Sequence, residues 1–165
     1  MIAFKFLRAG SIGPFTGFRW KRGEWVETEG PVPCRRGIHA CLARDLPYWL
    51  RGELWEIELD GEIAVGRFKL VAERGRLVRR VEAWNDAAYL DFATGCCKVT
   101  RALAEAHAED ERVRRIAADA ETVLGRGHIS LVPYFASVAA GRAGGDAARA
   151  AERERQAGWL AEHVL

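Results

Sequence analysis

The stretch LWEIELDGEIAV, Leu54 to Val65, decides the reading of the fold. Trp55, Ile57 and Leu59 alternate with Glu56, Glu58 and Asp60, the period of two that belongs to a strand with one apolar and one charged face. Asp-Gly is a favoured pair in two-residue hairpin turns, so Asp60-Gly61 predicts a turn into a second strand through Ile63 and Val65. Downstream, Phe68 to Ala72 and Arg76 to Ala83 continue the meander, with Gly75 between them. Upstream, Ile2, Phe4 and Phe6 alternate with Ala3, Lys5 and Leu7, which predicts a first strand with one fully apolar face and one mixed face. Trp25 to Thr28 and Ile38 to Cys41 read as short strands. Asp45 as cap, Pro47 in the first turn and Gly52 past the end bracket a short helix carrying Tyr48 and Trp49. Five to seven strands, mostly antiparallel, are expected.

The character of the chain changes near residue 85. Five of the six Trp precede it and 20 of the 27 Ala follow it. Ala is the best helix former and aromatic residues favour strands, so the second half is expected to be helical. Val99, Leu103, Ala106, Val113, Ala117, Ala120 and Leu124 repeat at helical spacing, compatible with one helix of about 25 residues or with a break near Asp110. A shorter helix is expected from Ser130, as cap, to about Ala140. Gly141, Gly144 and Gly145 then form a link to a last helix anchored by Ala151, Trp159 and Leu160. The expected fold class is α+β: a mostly antiparallel twisted sheet over residues 1–84, covered by the helices of residues 86–165, in a single domain 1–165.

Composition bounds the function. A chain of 165 residues with 49% apolar and 29% charged residues can build a core and is too apolar for a disordered protein. The net charge of +2 supplies no long-range field toward nucleic acid, and the excess of Arg over Lys reads as a genomic bias. The longest uncharged stretch, Gly127 to Gly141, falls short of the ~20 residues that cross a bilayer. Lys5 and Arg8 lie inside the first apolar run and no cleavage site follows, so a cytoplasmic protein with four reduced Cys and no disulfide or metal is expected.

The densest chemistry is Cys34, Gly37, His39 and Cys41. Cys34, His39 and Cys41 could hold zinc with Cys96 or Cys97 as fourth ligand, although no Cys-x2-Cys pair is present. His39 could instead serve a catalytic thiol, line a ligand pocket, or brace a backbone group among buried Cys. The Trp residues at 20, 25, 49, 55 and 84 are numerous for a small sheet, so some could line a groove or a partner surface.

The run Cys34-Arg35-Arg36-Gly37-Ile38-His39-Ala40-Cys41, with Leu46 to Tyr48, Trp55 to Gly61 and Lys69 to Ala72, resembles an uncharacterised domain family of phages and bacteria over residues 1–82. Trp49 stands where that pattern has a second Tyr. Arg8 at a strand end, the Gly37 to Ala40 element and Glu56 or Glu58 on a later strand also resemble the NAD pocket of ADP-ribosyltransferases, although the Glu strand comes early.

Two classes of function follow as expectations. One is an enzyme binding a small molecule, with His39 as acid/base or orienting group, Arg8 for an anionic substrate group and Glu58 as carboxylate partner. The other is a non-catalytic module of prophage or accessory origin that binds a protein through exposed Trp residues or the C-terminal helices. The residues assign no cofactor and leave the oligomeric state open.

Overall fold

The computed structural model describes every residue from Met1 to Leu165. The fold is α+β, and the chain divides into two compact units, Met1–Asn85 with Leu165, and Asp86–Val164.

The first unit contains five strands, β1 (Ile2–Leu7), β2 (Val26–Glu27), β3 (Ile38–Ala40), β4 (Glu53–Val65) and β5 (Leu70–Arg80), paired antiparallel in the order β1-β4-β5-β2, with β3 also on β5. Cys41, directly after β3, exchanges two backbone hydrogen bonds with Phe4 of β1, at 2.8 and 2.9 Å. These bonds close β1, β4, β5 and β3 into a small ring. Ala3, Leu7, Trp20, Ile38, Trp55, Ile57, Leu59, Leu70 and Leu77 fill its core.

The core takes the mixed face of β1. Directly opposite residues share a face, and Ala3 lies opposite Ile57 and Lys5 opposite Trp55, so Ala3, Lys5 and Leu7 turn inward. Ile2 is exposed, while Phe6 packs its ring edge-on against Trp84 on the other side.

Asp60-Gly61 is not a hairpin turn. β4 runs through it unbroken, and the register slips by one residue, so that Gly61 and Glu62 together oppose Glu73. This is a bulge whose first residue is a left-handed glycine, with φ +74° at Gly61. A side chain at Gly61 would collide with Glu73, whose carboxylate accepts the Glu62 N–H at 3.2 Å. The chain reverses later, at residues 66–69, where the Gly66 N–H meets the Lys69 carbonyl at 2.8 Å. Gly75, expected between strands, lies within β5.

The short helix is a 3-10 helix, Ala43–Tyr48, and Asp45 sits inside its first turn without capping it. Leu42 precedes the helix and Trp49 follows it.

The second unit is built from α1 (Asp86–Ala106), α2 (Glu111–Gly125) and α3 (Val132–His163), each packed on the other two. The break near Asp110 is present, and its carboxylate caps α2 by accepting from the N–H groups of Arg112 and Val113. Ser130 lies in a 3-10 turn, Ile129–Leu131, instead of capping a helix. The link around Gly144 and Gly145 is a kink inside α3, with φ +76° at Gly145. Beyond the kink Ala151 is exposed, and the buried side consists of Glu152, Arg153, Gln156 and Leu160. No helix is long and apolar enough to cross a membrane.

Candidate functional site

His39 projects from β3 between the core-facing Ile38 and Ala40 and is half-buried. Its ring is engaged at both nitrogens. The Cys34 N–H reaches Nε2 at 3.2 Å and can only donate, so Nε2 carries the lone pair and the proton resides on Nδ1. Nδ1–H donates to the Gly37 carbonyl at 3.1 Å. Burial first, and then the charges of Lys5 and Lys69, lower the His39 pKa against the opposing pull of that carbonyl, which keeps the ring neutral.

The backbone around the ring is specialised. Gly37 adopts φ +122°, and a Cβ there would lie 2.5 Å from a Val71 methyl, so the segment can pass over β5 only as glycine. Cys34 is one of two non-glycine residues with positive φ, at 64°. Bonds between Val32 and Arg36 fold the segment that presents Cys34.

Below His39, the Lys5 ammonium donates to the His39 carbonyl at 2.5 Å and lies 5.0 Å from the centre of the Trp20 ring. Burial lowers its pKa to about 8, although the nearby Cys41 thiol pulls the other way. On the other side, the Lys69 ammonium meets the Cys34 sulfur at 2.6 Å. Cys34, His39, Lys5 and Lys69 therefore form one cluster.

Arg8 and Glu58 lie outside that cluster. The Arg8 guanidinium donates to the Pro14 carbonyl at 2.6 Å. Glu58 is paired with Arg76 at 2.7 Å across β4 and β5. Glu58 sits opposite Ile2, six residues along β1 from Arg8, so the two are separated by roughly 20 Å of strand. The structure thus does not bring His39, Arg8 and Glu58 together. An open recess of about 260 Å³ is lined by Glu27, Thr28, Asp60, Gly61, Glu73 and Arg74, and none of the three lines it.

The zinc set is not assembled either. Cys34 is exposed whereas Cys41, Cys96 and Cys97 are buried, and no three His, Cys, Asp or Glu residues converge as a metal-holding group. Burial pushes the Cys41 and Cys96 thiols up to about 12 and raises that of Cys97 as well.

A second organising residue was not apparent in the sequence. Glu53, at the start of β4, is buried and accepts from the Gly10 N–H at 2.9 Å, the Ser11 N–H at 3.1 Å and the Trp55 indole at 3.0 Å. Burial alone would raise its pKa, but these bonds and the nearby Arg80 bring it below the ordinary range. Glu53 thereby holds the start of the loop that follows β1. Within that loop the Gly13 N–H bonds the Phe18 carbonyl and the Gly17 N–H bonds the Gly13 carbonyl. The fold of the loop leaves Phe15 81% and Phe18 46% exposed.

Comparison with known proteins finds no matching family model, curated protein or solved structure.

Proposed function

We propose that the chain is a non-catalytic interaction module that docks on another protein through the loop after β1. The observation that carries this reading is Phe15, a large apolar side chain 81% exposed on a loop braced by a buried carboxylate. A loop held by internal bonds presents its side chain with little ordering entropy left to lose on binding, which favours recognition. Phe18 extends the apolar patch, and its ring packs edge-on against Trp20 at 5.4 Å. The loop's own charges are basic: residues 8–19 contain Arg8 and Arg19 and no Asp or Glu. The partner surface that fits is an apolar recess with an acidic rim. The free Cys residues are consistent with a cytoplasmic setting.

The enzyme reading gains less support, since His39, Arg8 and Glu58 are each bonded to a group of the protein itself. The test compares the wild type with Phe15→Ser. Both should share one unfolding midpoint, and a protein captured by the wild type in a cross-linking pull-down should be lost from the variant and weakened by salt. An NAD-dependent rise in midpoint that His39→Gln removes would replace this reading with the enzyme one.

A further inference from the structure

The pair formed by Cys34 and Lys69 has no part in the docking loop. Cys34 lies in the Val32–Arg36 turn and Lys69 at the end of the turn between β4 and β5, 35 residues later, yet Nζ lies 2.6 Å from Sγ. Both sides of this contact are held. The Cys34 backbone is fixed by the His39 ring and the turn bonds, and the Lys69 stem packs over Gly66, with its Cγ 3.1 Å from where a Cβ would stand. Cys34 is the exposed thiol of the chain, and the other three are buried.

We propose that Cys34 and Lys69 form a reversible, oxidation-dependent covalent bridge, with a hydroperoxide as oxidant. The thiol sulfur attacks the O–O bond of the peroxide. It keeps one oxygen as a sulfenic acid, and the other leaves as water after taking up a proton. The Lys69 ammonium gives up one proton to solvent, its nitrogen then attacks the sulfur, the S–O bond breaks, and the hydroxyl leaves as a second water with a further proton from the amine. In total, one thiol, one ammonium and one hydrogen peroxide become one S–N bond, two waters and one proton. The sulfur supplies two electrons and the peroxide oxygens accept them. Two thiols of a reductant reverse the step, restoring Cys34 and Lys69 and becoming a disulfide.

Proximity decides the outcome at this position. A sulfenic acid facing solvent is open to further oxidation, whereas an amine already at the sulfur is held at a high effective concentration and captures it first. The bridge would tie the loop entering β3 to the β4–β5 turn, closing a 35-residue separation in the chain.

The test treats the full-length protein with one equivalent of hydrogen peroxide and maps its peptides by mass. The expected product joins the Cys34 and Lys69 peptides with the loss of two hydrogen masses, and dithiothreitol restores both. Lys69→Arg keeps the positive charge but removes the condensing primary amine. That variant should retain the wild-type unfolding midpoint and label with dimedone at Cys34 several-fold more than the wild type does. Cys34→Ser should form no bridge. Cys34 labelled with dimedone equally in the wild type and Lys69→Arg, with no joined peptide, would overturn the proposal. A joined peptide retaining an extra oxygen would overturn the S–N step.

Discussion

At the scale of single residues, the behaviour of His39 follows from having both ring nitrogens engaged inside the protein. Truncation in His39→Ala leaves the Cys34 N–H and the Gly37 carbonyl without their partner, and each lost bond of this kind costs about 1 kcal/mol net, more where the orphaned group stays dry. The pH dependence has a definite sign. The folded pKa is lowered, so below the unfolded value of about 6.5 the unfolded chain binds the extra proton first, and stability falls as pH drops from 7 toward the folded pKa. Urea unfolding at pH 7 and 5.5 should show this loss in the wild type and a smaller loss in His39→Gln. Equal losses in both would remove His39 from the cause. Lys5 offers a second check at this scale. Its ammonium should titrate near 8 when the side-chain resonance is followed by NMR, and titration above 10 would contradict a desolvated amine between Trp20 and the His39 carbonyl.

At the scale of elements, Glu53 joins β4 to the loop after β1, and its lowered folded pKa makes the junction sensitive to acid. The stability it supplies is present above the unfolded carboxyl value of about 4.3 and is lost as pH falls through the lower folded value. Glu53→Gln should flatten the stability profile in that acid range and raise amide exchange at Gly10 and Ser11. Unchanged exchange there would show that the loop holds without the carboxylate. The bulge gives a second prediction: Gly61→Ala forces a side chain into the left-handed region against Glu73, and urea unfolding should show a loss of about 1–2 kcal/mol in unfolding free energy. A neutral substitution would rule out the bulge geometry.

Sequence patterning carried much of this architecture, because alternation in Leu54 to Leu59 and helical spacing around Val113 and Ala117 report directly on which side is buried. It misled where one local signal serves two structures. Asp-Gly suits a hairpin turn and a glycine bulge alike, and only the pairing of Ile63 with Ala72 separates them. The inward face of β1 was illegible for a similar reason. The fully apolar alternation Ile2, Phe4, Phe6 points outward because pairing with β4 sets the register, and Lys5 is tolerated inside through its carbonyl partner and Trp20. The cluster around His39 was legible as a place but not as a geometry. Nothing in the spacing of Cys34 and Lys69 signals that their side chains meet.

At the scale of the whole molecule, the polar residues singled out in the sequence are each bonded within the strand-built unit. His39 braces the loop before β3, Glu58 joins β4 to β5 through Arg76, and Arg8 ties the end of β1 to the loop carrying Phe15. The helical unit holds a polar network of its own: the Gln156 amide donates to the Pro133 carbonyl at 3.0 Å and to Glu152 at 2.7 Å. Half-satisfied buried networks are costly, so Gln156→Ala should lower the chain's thermal midpoint more than an exposed Glu154→Ala does. Equal midpoints would deny the network a structural part. The central claim, that His39 is a brace within an interaction module and not a catalytic group, is tested most directly by the urea midpoint of full-length His39→Ala at pH 7, measured with and without NAD. A midpoint well below that of the wild type, and indifferent to NAD in both proteins, is the expected result; an unchanged midpoint for His39→Ala, together with a wild-type midpoint raised by NAD, would contradict it.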